Sequence, residues 1–181
     1  MPGKVILQTE RLILREFDEG DVEAFLVLGS DPAIIRHTGD PGGLTGLEHA
    51  LEVLRTRPLA DYRKHGFGRW AVVHKADGVL IGFAGLKHLD ELGEVDLGYR
   101  LLPAYWGRGL ATEACRPIIE YGFTRLRLPR IMAMVDSANA ASVRVLEKLG
   151  LTPAGPIDFL GSRWLRYVID SPAGQSPEAP A

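Results

Sequence analysis

The chain has 181 residues, enough for one domain with its own core. It is 46% hydrophobic and 24% charged with a net charge of −2, so it lacks the basic excess that nucleic acid or an anionic membrane demands. A single cysteine, Cys115, excludes an internal disulfide and a cysteine-built metal site, and no run approaches the ~18 apolar residues of a membrane span.

The N-terminus shows no apolar signal-peptide core, and a cytoplasmic location is expected. Residues 11–15 form a short apolar run that predicts a first strand. Asp18 is placed to cap a helix over 21–28, and a Gly/Pro-rich loop spans 30–43. Thr45-Gly46-Leu47-Glu48 reads as a capping box that starts a second helix, with Pro58 as its breaker. Residues 70–73, 79–86 and 95–102 then read as an antiparallel meander, turned at Asp77-Gly78 and Glu91-Leu92-Gly93. Leu97, Tyr99 and Leu101 share one face of the third of these strands.

Pro103 ends the meander. A turn through Gly107-Arg108-Gly109 opens a helix to about residue 126, and 131–135 is a strand. Asn139 starts a helix that stops at Leu149-Gly150. Strands over 151–154 and 164–169 close the domain, and 171–181 reads as a disordered tail. This order predicts an α+β fold with about seven strands, mostly antiparallel, about four helices and one strand–helix–strand crossover.

The glycine turn carries the most chemical information. Glycines allow positive φ and close backbone approach, and free N–H groups at a helix N-terminus attract a phosphate. On the glycines alone, a plain connecting turn fits equally well. A Walker A loop is excluded because no Gly-Lys-Ser/Thr follows, and a dinucleotide fingerprint because Thr112 stands where its third glycine belongs.

Residues 105–114 read Tyr-Trp-Gly-Arg-Gly-Leu-Ala-Thr-Glu-Ala. This segment resembles the acetyl-CoA-binding signature of the GNAT superfamily, and within it the RimJ/RimL-like N-acetyltransferase branch, with Trp106 in place of the usual Gln or Arg. Two distant segments strengthen the resemblance: Thr9-Glu10-Arg11-Leu12-Ile13-Leu14-Arg15, and 139–150, similar to Asn-x-x-Ser-x-x-x-x-Glu-Lys-x-Gly-Phe with Leu151 for Phe. It covers about residues 8–169. It implies a GNAT fold in which the strands at 95–102 and 131–135 part, and pantetheine pairs with backbone near Leu101 and Leu102. The pyrophosphate would take amides from Gly107, Arg108, Gly109, Leu110, Ala111 and Thr112, with Asn139 and Ser142 also at the coenzyme. Pro117, inside that helix, departs from a regular pattern and should kink it.

Acetyl transfer to an amine needs a route for protons. A lysine amine has a pKa near 10.4 and an α-amine about 7.7–8.0, so a modest base suffices for the latter. By resemblance Asp96 and Asp158 are the candidate bases, with Glu94 weaker, and Ser142 the candidate acid for the leaving thiolate; each also reads as an ordinary surface residue. Asn139 reads equally as a helix cap. Cys115 reads as a small core residue, which favours direct attack in a ternary complex. His37, His49, His65, His74 and His88 show no His-x-x-x-His spacing, so no metal is expected. Phe67, Trp70, Tyr99 and Trp164 are core by default; Trp70 and Tyr99 are also candidates for the acceptor pocket, and the 30–43 loop for its cover.

The implied activity is transfer of acetyl from acetyl-CoA to a primary amine, with a protein N-terminal α-amine favoured. The competing readings are a small-molecule amine (antibiotic, polyamine or amino acid) and a non-catalytic acyl-CoA sensor. A homodimer is implied by analogy alone.

Overall fold

A computed structural model describes residues 3–40 and 42–172. It contains one eight-stranded sheet in the order β1-β2-β3-β4-β5-β6-β8-β7. The strands are β1 (Val5–Gln8), β2 (Leu12–Arg15), β3 (Arg69–His74), β4 (Val79–Leu89), β5 (Glu94–Leu101), β6 (Arg130–Val135), β7 (Thr152–Phe159) and β8 (Ser162–Asp170). The helices are α1 (Val22–Ser30), α2 (Pro32–Ile35), α3 (Leu47–Thr56), α4 (Pro58–His65), α5 (Leu110–Thr124) and α6 (Ala140–Lys148). The expected α+β sheet with one crossover, β5–α5–β6, is present.

Strand alternation sorts residues onto two cores. On β3, Trp70 and Val72 join the larger cluster with Leu86, Ile118 and Ile131, while Ala71 joins Phe17, Phe25, Ala50 and Leu54. α5 therefore packs on one face of the sheet, and α1 and α3 on the other. On β4 the alternation slips. Val72 pairs with Gly82 but Val73 with Leu80, so Ile81 is an inserted residue and lies on the same face as Ala84.

Local signals behave unevenly. Asp18 forms a capping box with Asp21 on a short 3-10 turn that leads into α1. The box expected at Thr45–Glu48 does not form: Gly46 is the cap without a side-chain bond, and the Thr45 hydroxyl lies 3.2 Å from His49 Nδ1. Pro58 ends α3 but also starts α4, because its missing N–H costs nothing at the first helical position. The 30–43 loop contains the single turn of α2, capped by Asp31. α5 runs continuously through Pro117. Asn139 caps α6, accepting from the Ser142 amide at 3.1 Å. Ser171 is buried and its amide donates to Pro129 O at 2.9 Å, so it is not part of a free tail; residues 173–181 of the expected tail lie outside the described residues.

Several of the largest fully buried side chains, Trp70, Leu86, Ile118 and Ile131 among them, belong to the cluster between α5 and the sheet. Truncating one, Leu86→Ala, should cost roughly 2–5 kcal/mol through lost burial and a cavity, read as a lower urea midpoint at unchanged slope.

Candidate active site

Among the described residues β5 and β6 are the one parallel pair, and their register contains a single matched position, Asp96 with Met132. Beyond it the strands part. A cleft of about 850 Å³ fills the gap, lined among others by Leu97–Leu101 of β5, Ala133–Val135 of β6 and the first turns of α5 and α6.

The glycine turn forms one end of this cleft. Gly107 and Gly109 sit at φ 69° and 75°, and nothing crowds a Cβ at either. Their glycine identity is thus a backbone requirement, not a matter of space. Gly109 caps α5 without any side-chain hydrogen bond, which leaves the first-turn amides and the positive end of the helix dipole facing the cleft. That donor set fits a pyrophosphate.

Side chains hold the turn from three directions. The Trp106 indole donates to Leu101 O at 2.7 Å, which ties the turn to the end of β5. Tyr105 donates to Asp77 Oδ2 at 2.7 Å, with His74 on the same oxygen at 2.8 Å, and these two bonds hold the Asp77 carboxyl below its usual range. From below, Glu113 accepts from the Thr9 hydroxyl (2.6 Å), the Arg11 amide (2.9 Å) and Arg11 Nε (2.7 Å). Arg11 Nη1 also reaches Arg108 O at 3.1 Å. The two motifs at 9–15 and 105–114, far apart in sequence, therefore meet on one carboxylate. Leu102 does not line the cleft, and its amide donates to Ile81 O at 2.8 Å. Leu101 O keeps one lone pair beside the indole bond. Any backbone pairing along this edge falls on β5 residues before Leu102.

Deeper in, Arg69 of β3 crosses β4 to reach β5. It donates to Gly85 O at 2.5 Å, to Asp96 O at 2.7 Å and to the Asp96 carboxylate. Gly98 makes this path, since a Cβ there would stand 2.4 Å from Arg69 Nη2. Burial raises the Asp96 carboxyl from its ordinary value, against the pull of Arg69 and the Met134 amide. Sequence reasoning missed Arg69; the signal was the row Arg69–Gly85–Gly98 across three strands, which leaves a channel for one long side chain.

Tyr99 lines the cleft and donates to Ser142 Oγ at 2.9 Å. Burial raises the Tyr99 hydroxyl, which keeps it a donor. Cys115 is fully buried and its thiol is pushed up to about 12 by burial, a poor nucleophile. Trp70 keeps the core place read for it by default: it is 1% exposed, stacked edge-on against Tyr121 at 5.2 Å, and is not among the cleft-lining residues, so its candidacy for the acceptor pocket gains no support. Trp164, read as core, lines the cleft instead. Asp158 belongs to β7 rather than the loop after it, is exposed, pairs in register with Arg163, and is not among the lining residues. Glu94 is bonded to Arg166.

Residues 33–40 cover one wall, as expected of that loop. His37 Nδ1 meets Asp136 Oδ2 at 2.7 Å, which lowers the Asp136 carboxyl, and Arg100 Nη2 meets Asp40 Oδ2 at 2.5 Å. Gly39 lies against the Trp164 ring. His37 and Asp136 were also missed, because their pairing spans 99 positions.

Residues 11–152 match the family described as an acetyltransferase (GNAT) domain. The chain is 33% identical over 151 residues to the uncharacterized N-acetyltransferase YoaA of Bacillus subtilis, covering 83% of this chain and 84% of that one. An acetyltransferase structure from Agrobacterium tumefaciens superposes with a TM-score of 0.79 at 28% identity over 91% of this chain and 94% of that one. RimL, a ribosomal L7/L12 α-N-protein acetyltransferase in complex with coenzyme A, shares the fold with a TM-score of 0.77 at 18% identity, over 94% of this chain and 99% of that one.

No transmembrane-length apolar helix occurs among the described residues.

Burial alone would raise Glu113, but Thr9 and Arg11 outweigh it and hold the carboxyl below its ordinary value of 4.5. A depressed folded-state value means the tie contributes fully above that ordinary value and is lost as pH falls through the lower one. Glu113→Gln should cost roughly 1–3 kcal/mol near pH 7. Its gap in urea midpoint from the parent protein should narrow progressively as pH falls below 4.5.

Proposed function

This chain belongs to the acetyltransferase (GNAT) family, and from that premise we propose that it moves acetyl from acetyl-CoA to a protein N-terminal α-amine by direct attack in a ternary complex. The observation that carries the coenzyme half is the uncapped first turn of α5 beside the unladdered edge of β5. Gly107 to Thr112 would hold the diphosphate, and Arg144 and Lys148, which line the cleft on α6, suit further phosphate charge.

Charge supports the acceptor class. The cleft is lined by Arg36, Arg69, Arg100, Arg144 and Lys148 against three carboxylates, Asp40, Asp96 and Asp136. Each carboxylate already has a partner: Arg100, Arg69 and His37. No anionic surplus remains to collect a polycationic amine, whereas an α-amine brings one charge and sheds it near neutral pH.

His37 is the proposed proton acceptor. Asp136 engages Nδ1, which favours the tautomer with its proton there and leaves Nε2 as the basic nitrogen. Asp96 is the second candidate and the weaker one, because taking a proton there would strip Arg69 of its counter-charge in a buried site. Asp158, outside the cleft lining, is the weakest. Ser142 is the proposed acid. Its oxygen accepts from Tyr99, so its own proton is directed to another acceptor, here the leaving thiolate. As the amine nitrogen bonds the acyl carbon and the C–S bond breaks, the amine's proton passes to His37 and the Ser142 proton to sulfur; water then returns a proton to the Ser142 oxygen and takes the one on His37.

Coenzyme A release measured across N-terminal peptides, spermidine, aminoglycosides and free amino acids tests the acceptor class. Peptides should give the highest kcat/KM, and a small amine that outruns them refutes the α-amine reading. His37→Gln should lower kcat/KM roughly tenfold or more while leaving the affinity for coenzyme A unchanged, a split that general loss of packing does not produce. Ser142→Ala should lower kcat about three- to tenfold, more than it raises KM, since a thiol near 8.5 needs little acid help.

A further inference from the structure

At the β4–β5 turn, three side chains outside the cleft lining converge. His65 ends α4, His88 is on β4, and Asp90 comes directly after β4. One ligand atom from each lies within 4.8 Å of the others. We propose that His65, His88 and Asp90 form a binding site for a borderline divalent transition-metal ion of the zinc and nickel class. The helical spacing sought in the sequence is absent because the site is built across α4 and β4, with about 23 positions between the two histidines. The expectation of no metal rested on that spacing alone, which is blind to convergence between separate elements.

The arrangement is already close to what such an ion needs. The two imidazoles stack with centroids 4.9 Å apart and 25° between planes, so their edges present nitrogen to a common space. Phe67 packs beside His65 at 6.0 Å, which limits that ring's freedom. His88 Nδ1 is 3.1 Å from Asp90 Oδ1. Metal–nitrogen and metal–oxygen bonds of about 2.0–2.2 Å around a tetrahedral ion put its donors roughly 3.3–3.6 Å apart. The observed spread therefore has to close by well under a side-chain rotamer's reach. Asp90 is exposed and both histidines are half-buried, so they have room to do so. Two imidazoles and one carboxylate suit zinc, nickel or copper, and not magnesium or calcium, which require oxygen shells. Water would complete the shell on the exposed side.

One group opposes the ion. Lys64 Nζ holds Asp90 Oδ2 at 2.6 Å and, with His88, keeps the Asp90 carboxyl below its usual range. The ion must share that carboxylate with the ammonium or displace it. This yields a signature that adventitious surface binding lacks: removing Lys64 should tighten binding.

Isothermal titration of the chelator-treated full chain with zinc chloride, nickel chloride and magnesium chloride tests the site. Zinc and nickel should bind saturably at one ion per chain and magnesium should not. Affinity should fall at least about tenfold in His65→Ala, His88→Ala and Asp90→Asn, and rise several-fold in Lys64→Ala. Cobalt substitution should give a visible d–d absorption band that is lost with the same variants. Asp90→Asn is exposed and carries the test should a histidine variant fail to fold. The absence of saturable zinc binding, or zinc binding that survives both His88→Ala and Asp90→Asn, overturns the proposal. Neither result bears on acetyl transfer, which is read at the cleft.

Discussion

The Glu113 carboxylate, shared by Thr9 and Arg11, is the contact on which the active end of this molecule depends. It belongs to the first turn of α5, where negative charge is favoured by the helix dipole. The same anion would compete with a bound diphosphate if it faced the cleft. Its engagement from the β1–β2 side turns it away and neutralises it with Arg11. Arg11 then uses its remaining nitrogen on Arg108 O, so one guanidinium fixes both the helix and the loop before it. The amides that serve a ligand are held in place by contacts on the side opposite to that ligand. Such preorganisation lowers the ordering cost of binding.

A second constraint is the position of Asp96. It stands at the last matched pair of β5 and β6, where the ladder ends and the gap begins. Arg69 clamps its side chain and its carbonyl together. The cleft thus starts at a rigid point and widens toward the glycine turn and the Tyr99–Ser142 pair. Residues 33–40 close one wall through an ion pair to β5 and a hydrogen bond to the segment after β6, so the cover is fastened to both sides of the gap.

Much of this order was legible in the chain because it rests on local rules. Alternation and turn glycines set β3, β4 and β5, and Asn139 with Gly150 bounded α6 by cap chemistry. The eighth strand, β1, was missed because Val5–Gln8 is a short edge strand that, among the described residues, pairs with β2 alone. Pro58 was read as a stop, although proline also begins helices; here the helix-compatible run Leu59–His65 makes it a start as well. The glycine turn was found because it is contiguous. The groups at the acceptor end were not, since Arg69, His37 and Asp136 act through pairings that join separate elements. Trp70 kept its default place in the core, whereas Trp164, read as core too, lines the cleft, because alternation alone does not say which face of a strand the helices cover.

The lone matched pair between β5 and β6 has a mechanical consequence. Backbone bonding joins β1 to β5 on one side and β6 to β8 on the other, while almost none crosses between them. The two halves are held together by side chains, chiefly those of α5 and α6 over the seam. Widening or narrowing the seam would therefore disturb little backbone pairing beyond Asp96, which leaves room for a long, slender co-substrate without unzipping the ladders of either half.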